Sequence, residues 1–182
     1  VERIDLINIL ACGTSLHAGL IGQFLFEQVA KIPTQVRSSS EALFAPLLET
    51  PNTFTIAITQ SGETADTIAA LKTVQSKRIA ITNGIDSKIT TLVDQTIYTD
   101  AGEEKSVAAT KTFTAQLVIL YQLAFELSNQ ECEWLREIPH QIEEILKENT
   151  IAQIAKTLEN TRNLILIGSG INHAIALEGA LK

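Results

Sequence analysis

The segment FTIAITQSGETADTIAAL (residues 54–71) decides the fold, because it joins an apolar strand to a helix through a short polar turn. Residues 54–58 are apolar or β-branched, which predicts a buried strand, and residues 65–71 predict the start of a helix. The turn between them, TQSGET (residues 59–64), offers three hydroxyls, free backbone N–H groups and the positive end of a helix. In a parallel α/β sheet, ligands bind at such turns. The turn therefore predicts a site for a phosphate monoester, and simple capping of the helix is the structural alternative.

A second strand, turn and helix stand at the beginning of the chain. Residues 4–11 predict a buried strand, and apolar residues at helical spacing predict a helix over residues 16–29. The turn between them is CGTS (residues 12–15), whose hydroxyls could cap the helix, bind phosphate oxygens or do both. His17 lies on the first helical turn, where a surface or helix-packing role is the expected one.

A third polar segment could contribute to the same site. Residues 100–106 predict a polar loop, and VAATKT (residues 107–112) leads into a long apolar helix. Because turns that follow parallel strands gather at one edge of the sheet, we expect the three segments to lie close together. An ammonium group at Lys111 could attract a phosphate, although a solvated lysine on a helix surface explains the residue equally well.

The rest of the pattern extends the sheet and then turns helical. Short strands are predicted at residues 34–37, 78–82 and 96–99. Residues 129–160 have a purely helical pattern. An apolar run at residues 163–167 predicts a further strand, which ends in GSG (residues 168–170) and leads into a last helix. The alternation of strands and helices predicts an α/β fold with a parallel sheet.

The last strand, turn and helix repeat the pattern of the first ones. Both units have an apolar strand, a turn of small residues and a helix, which predicts that a second copy of the fold begins near residue 150. We therefore predict a first domain at residues 1–130, a helical connection at residues 131–160 and the truncated start of a second domain at residues 161–182. Because the chain has no Met and its last helix has no stop signal, we expect it to be a fragment of a longer protein.

Composition excludes several classes of function. The chain has 182 residues, 45% of them hydrophobic, which is enough for one packed domain and part of another. The net charge is −7 and no basic cluster is present, so nucleic acid is not expected as a partner. No apolar run is long enough to span a membrane, and no signal peptide is recognisable. Cys12 and Cys132 form no metal pattern, so we expect a cytoplasmic protein with reduced thiols and no metal.

The absence of two nucleotide-binding motifs excludes some classes of ligand. There is no Gly-x-x-x-x-Gly-Lys-Ser/Thr sequence for a nucleoside triphosphate. The dinucleotide motif Gly-x-Gly-x-x-Gly is missing as well, because His173 stands where the third glycine would follow Gly168 and Gly170. Hydroxyls and amides without an arginine cluster suit a sugar phosphate, and we expect no cofactor.

Four motifs together resemble one family. They are ACGTS (residues 11–15), QSGETADT (residues 60–67), VAATK (residues 107–111) and IALEGALK (residues 175–182). They resemble the sugar isomerase (SIS) domains of the glutamine–fructose-6-phosphate aminotransferase family, the glucosamine-6-phosphate synthases. The resemblance implies a flavodoxin-like, three-layer αβα fold with two SIS copies per isomerase unit. It also implies a hexose 6-phosphate substrate, conversion of fructose 6-phosphate and glutamine-derived ammonia into glucosamine 6-phosphate, a glutaminase domain in the parent protein and a homodimer.

The resemblance also implies the roles of particular residues. The positions that match residues holding the hexose phosphate are Thr14, Ser15, Thr59, Gln60, Ser61 and Thr64. Of these, Ser61 and Thr64 would form the phosphate core, and Val107 matches a backbone contact to the sugar. Lys182 matches a lysine of the catalytic pocket, and Glu178 is expected to serve structure. Because the family's other catalytic residues lie beyond Lys182, the fragment is expected to bind sugar phosphate without turnover.

Departures from the family pattern keep two alternatives open. Ala109 stands where serine is common, and Ser169 stands where arginine is usual. These changes lean towards a SIS-type aminosugar-phosphate deaminase or isomerase without a glutaminase domain. A non-catalytic sugar-phosphate sensor domain is the third interpretation.

Overall fold

A parallel sheet lies at the centre of the computed structural model, which describes residues 3–105 and 108–182. Its strands are β1 (Leu6–Ala11), β2 (Thr34–Ser38), β3 (Thr53–Thr59), β4 (Lys77–Thr82) and β5 (Gln95–Tyr98). In the described residues they pair in the order β2-β1-β3-β4-β5, and every pairing is parallel. The predicted α/β fold with a parallel sheet is confirmed.

Helices connect the strands and continue beyond the sheet. They are α1 (Gly13–Leu25), α2 (Ser39–Ala42), α3 (Ala65–Leu71), α4 (Lys111–Leu127), α5 (Ile138–Lys147), α6 (Thr150–Leu158) and α7 (Ile171–Leu181). A π-helical turn (Phe26–Ala30) extends α1, and short 3-10 helices lie at Lys88–Thr91 and Glu133–Glu137. Within the ranges that the structure covers, no helix is long and apolar enough to cross a bilayer.

Both faces of the sheet are buried, which gives the three layers. Successive side chains of a strand point to opposite faces, so Ile9 packs in the core with α1 and α4 while Leu10 packs with α2 and α3. The first face carries two isoleucines at alternate positions from each of β1, β3 and β4: Ile7, Ile9, Ile56, Ile58, Ile79 and Ile81. Continuous apolar strands of this kind form because parallel sheets are covered on both sides.

The strand order places a switch point at the centre of the sheet. From β1 the chain moves outward to β2, and from β2 it crosses back to β3 on the other side of β1. The ends of the two central strands are in register, with Ala11 opposite Ile58. The turns after β1 and β3 therefore lie side by side at the carboxyl edge, where doubly wound sheets bind ligands.

The prediction of a strand at residues 163–167 is wrong. No strand is assigned between α6 and α7, and the side chains of Ile165 and Ile167 are 84% and 92% exposed. An apolar run becomes a strand only where a neighbouring strand accepts its backbone hydrogen bonds, and the sheet of β1 to β5 does not pair with it. The division into domains at residues 130 and 160 stays a prediction.

Candidate functional site

The turn after β3 arranges its hydroxyls around its own backbone. Thr59 is 2% exposed, and its Oγ1 lies 2.9 Å from Oγ1 of Thr64. The backbone N–H of Gly62 donates to Thr59 Oγ1 at 3.3 Å, and that of Glu63 donates to Ser61 Oγ at 3.1 Å. Ser61 is exposed and acts as an acceptor in this bond, so its hydroxyl hydrogen can be donated outward to an anionic oxygen.

Contacts with the 3-10 helix that follows β4 hold this turn in place. Gly62 has a φ of +70°, and a Cβ atom there would overlap the Ser87 side chain, so only glycine suits the position. The Gly62 carbonyl accepts the Ile89 N–H at 3.0 Å. A carboxyl oxygen of Glu63 accepts the Lys88 N–H at 2.6 Å. Glu63 thus shapes the turn by bonding to the backbone of the 3-10 helix beside it.

Gln60 contributes its backbone to the same attachment. Its carbonyl accepts the Asn83 N–H at 3.0 Å, and the Thr82 hydroxyl lies 3.4 Å from the same oxygen. Its side chain is partly exposed next to the turn. The polar residues of the turn after β3 therefore divide into those that fasten the turn and those whose hydroxyls remain available.

The turn after β1 is built differently, because its hydroxyls bond to helices that come later in the chain. Ser15 is buried, and its Oγ accepts a hydrogen bond from Gln116 Nε2 of α4 at 3.0 Å. Neither α1 nor α3 has a side-chain hydrogen bond at its N-cap. The hydroxyls of these two turns therefore do not cap α1 or α3.

Helix α7 closes the site at the turn after β1. Lys182 Nζ lies 2.9 Å from Thr14 Oγ1 and 2.9 Å from Glu178 Oε1. Thr14 donates its hydroxyl hydrogen to Glu178 Oε1 at 3.1 Å, and His17 Nδ1 lies 2.7 Å from Glu178 Oε2. One buried carboxylate therefore gathers a hydroxyl, an imidazole and an ammonium group.

This environment stabilises the ionised form of Glu178. Burial alone would raise the pKa of its carboxyl, but the hydrogen bonds from His17, Lys182 and Thr14 and the charge of Lys182 together lower that pKa below its ordinary value. The charged carboxylate is thus the form that the cluster favours. A charged acceptor also strengthens each of the hydrogen bonds that it receives.

The loop before α4 is closed by another carboxylate. Glu104 accepts hydrogen bonds from the backbone and hydroxyl of Thr110 and of Thr112. These bonds, led by that from the Thr112 hydroxyl, lower the pKa of Glu104 to about 2. Lys111 is exposed beside this loop. Val107, the predicted backbone contact to the sugar, lies outside the described residues.

The structure brings some of the predicted residues together and adds others. Thr14, predicted to hold the sugar phosphate, contacts Lys182, predicted as a lysine of the catalytic pocket, whereas Thr59 contacts Thr64. Sequence reasoning missed His17 as a partner of this cluster and treated Glu178 as structural. The available signal was helical spacing, since Thr14 and His17 are three positions apart and Glu178 and Lys182 four, which places each pair on one helix face.

Gln116 is a further residue that the sequence did not single out. It is 1% exposed in the middle of an apolar helix, and its amide reaches Ser15 across the interface of α1 and α4. A buried amide in an apolar helix is costly unless it is bonded, which is a signal that sequence can give. No group of three or more metal-ligating side chains is found in residues 3–105 and 108–182.

The strand order and the hydroxyl-bearing turns define a flavodoxin-like α/β domain with its candidate site at the switch point. The chain belongs to the SIS domain family, because the family model for the SIS domain matches residues 3–125.

Two relatives within this family match the whole length of this chain. It is 45% identical to a glutamine–fructose-6-phosphate aminotransferase of Thermosynechococcus vestitus, with 100% of this chain and 33% of that protein covered. It is 44% identical to the protein of the same name from Synechocystis, with 100% and 32% covered. The chain spans about a third of the length of these curated relatives.

A solved structure agrees with the sequence comparison. The C-terminal domain of glucosamine-fructose-6-phosphate aminotransferase from Francisella tularensis matches 99% of this chain and 55% of its own chain, with a TM-score of 0.85 and 32% identity. Glucosamine-6-phosphate deaminase from Thermotoga maritima also matches, with a TM-score of 0.79, over 99% of this chain and 57% of its own. Its identity is 21%, so that likeness concerns the fold alone.

Proposed function

We propose that this chain binds a hexose 6-phosphate as part of an enzyme that makes glucosamine 6-phosphate from fructose 6-phosphate and glutamine-derived ammonia. The observation that carries the proposal is the pair of hydroxyl-bearing turns at the switch point, with the Lys182 ammonium 2.9 Å from Thr14 Oγ1. The identity of 45% to an aminotransferase over the whole chain supports the choice of reaction. In this proposal the chain holds the first SIS domain and the start of a second.

The phosphate group would lie at the turn after β3. Ser61 can donate its hydroxyl hydrogen outward, and Thr64 shares its hydroxyl with the buried Thr59. Hydrogen bonds to a charged phosphate are shorter and stronger than bonds between neutral groups. The chain has a net charge of −7, so recognition of an anion depends on such local donors.

The reacting end of the sugar would lie towards Thr14 and Lys182. Ammonia forms an imine at C2 of the open-chain ketose with loss of water. A proton then moves from C1 to C2 and the proton of the C1 hydroxyl passes to the nitrogen, which leaves an aldehyde at C1 and an amine at C2. This is general acid–base chemistry. The Lys182 ammonium, held against Thr14, supplies a positive hydrogen-bond donor for a sugar oxygen, and the carboxylate that moves the proton would come from residues after Lys182.

The assembly of the complete enzyme belongs to the same proposal. A glutaminase domain elsewhere in the protein would supply ammonia, and two copies of the isomerase unit would form a homodimer. The enzyme would act in the cytoplasm without a metal or an organic cofactor, and without nucleic acid or membrane as a partner. Each SIS copy would contribute one flavodoxin-like sheet.

Calorimetry with fructose 6-phosphate and glucosamine 6-phosphate tests the proposed ligand. The titration uses both the 182-residue chain and the complete protein. In the complete protein we expect Ser61→Ala and Thr64→Ala each to weaken binding by about 1–3 kcal/mol, which is the worth of a hydrogen bond to a charged group. Ser128→Ala, at the end of α4, is the matched control and should leave binding unchanged. Binding that neither site substitution affects would refute the proposed phosphate position.

Activity of the complete protein distinguishes the remaining alternatives. Formation of glucosamine 6-phosphate from fructose 6-phosphate and glutamine supports the aminotransferase. Release of ammonia from glucosamine 6-phosphate, without the glutamine-dependent reaction, would identify a deaminase instead. Tight binding without either reaction would identify a sugar-phosphate sensor.

A further inference from the structure

We propose that His17 is a positioning residue, which holds the Glu178 carboxylate and through it the Lys182 ammonium beside the Thr14 hydroxyl. The inference rests on the proposed function, in which Lys182 faces the sugar. His17 itself is on the far side of the carboxylate from Lys182, so it acts on the reaction only through Glu178.

The two oxygens of Glu178 have separate partners. His17 Nδ1 lies 2.7 Å from Oε2, whereas Lys182 and Thr14 both lie within 3.1 Å of Oε1. A carboxylate can only accept hydrogen bonds, so Nδ1 of His17 carries the hydrogen in this contact. Bonds to both oxygens fix the rotation of the carboxylate, and this rotation decides where Oε1 and its partners lie.

Burial makes His17 suited to this task. The side chains of His17 and Glu178 are 14% and 8% exposed. The Lys182 side chain is 29% exposed, and its four-carbon stem is flexible. The buried bond to His17 fixes the carboxylate, and the carboxylate in turn limits the positions that Lys182 can take.

A purely structural role is the competing explanation. His17 belongs to α1 and Glu178 to α7, and the two are 161 positions apart in the chain. The contact also fastens α7 to the sheet unit, so losing it would lower stability whatever Lys182 does. The two explanations differ in what happens to the lysine amine while α7 stays docked.

Three variants of the complete protein separate the two roles. His17→Leu removes the donor and keeps an apolar side chain. His17→Asn keeps an N–H donor, because the amide nitrogen is as many bonds from Cβ as Nδ1 is. His140→Leu changes an exposed histidine of α5 and serves as the control. Each variant is compared for its stability in urea, for the rate at which an amine-directed reagent modifies Lys182, for kcat and for the KM of fructose 6-phosphate.

We expect His17→Leu to lower kcat by about 10- to 100-fold, because a displacement of about 1 Å at a reacting group has an effect of that size. The KM should change by less than about threefold, since the phosphate turn after β3 has its own contacts. Lys182 should react several-fold faster with the reagent, and His17→Asn should restore most of kcat. The control should match the unaltered protein in every measurement.

Other results would overturn the inference in distinguishable ways. If His17→Leu leaves kcat and Lys182 reactivity unchanged, His17 is not a positioning residue. If His17→Leu and His17→Asn lose stability and activity equally, the role is structural. If Lys182 reactivity responds as expected but the unaltered protein forms no glucosamine 6-phosphate, His17 does position the lysine and the proposed function is the part that fails.

Discussion

The two turns at the switch point differ in what holds them. The turn after β3 bonds to the end of β4 and to the 3-10 helix that follows it, as Lys88 does with Glu63, 25 positions away. The turn after β1 bonds to α7, and Lys182 is 168 positions away from Thr14. The first turn is therefore a product of the sheet unit alone, whereas the second is complete only when a distant helix is docked.

This difference predicts unequal stability for the two turns. Segments with few buried contacts open locally more easily than the core does, and the residues between α6 and α7 are exposed. Helix α7 is held through α1, with Ala174 and Glu178 buried. If α7 opens, the turn after β1 loses Lys182 and Glu178, while the turn after β3 keeps its own hydrogen bonds.

The largest expected effect breaks the turn after β3. In Gly62→Ala, the alanine would have to adopt a φ of +70°, and its Cβ would overlap the Ser87 side chain. We expect the unfolding free energy to fall by about 1–2 kcal/mol because of the conformation and by about 1–3 kcal/mol because Ser87 is displaced. Gly13→Ala, at the turn after β1, is the matched control: its φ is +54°, but no atom of the described residues lies within 4 Å of the added atom. It should cost about 1–2 kcal/mol. Urea unfolding of both variants measures the difference, and equal losses would contradict the crowding at Ser87.

The local parts of this comparison could be predicted from sequence. The apolar runs of β1 and β3 and the polar turns after them follow from residue type and spacing, because neighbouring residues determine them. The parallel sheet followed from the alternation of strands and helices. The same rules predicted a strand at residues 163–167, but in the structure this apolar run is exposed and does not pair with β1 to β5.

The contacts between distant segments could not be predicted in the same way. Nothing around Glu178 indicates that its carboxylate meets Thr14 and His17, because α7 packs on α1 only in the folded chain. Likewise, nothing near Gln116 indicates its bond to Ser15. Such contacts depend on how the layers pack, and the sequence pattern shows only that each residue lies on a particular face of its helix.

A smaller effect is expected at the carboxylates that support the two turns. Glu178→Gln removes the charge that gathers three donors in a buried position, and we expect it to cost about 1–3 kcal/mol. Glu63→Gln changes an exposed carboxylate with one backbone partner, and its cost should be about 0.5 kcal/mol or less. Urea unfolding at neutral pH compares them. A larger loss of unfolding free energy from Glu63→Gln than from Glu178→Gln would contradict this expectation.

The smallest effect is expected in a third segment, the loop before α4, where Glu104 bonds to residues nearby in the chain. Its hydrogen bonds with Thr112 and Thr110 lower its pKa from about 4.5 to about 2, so the stability that it adds is fully present above pH 4.5 and is lost as the pH falls towards 2. Between pH 5 and 3, the unfolding free energy of the unaltered chain should therefore fall more steeply than that of Glu104→Gln. Glu103→Gln removes the same charge one position away and should keep the steeper slope.

Because Glu104 is in contact with solvent, its contribution to the unfolding free energy should be smaller than the losses expected from the substitutions in the two turns. Equal slopes for the two variants would show that the bonds to Thr110 and Thr112 do not stabilise the loop.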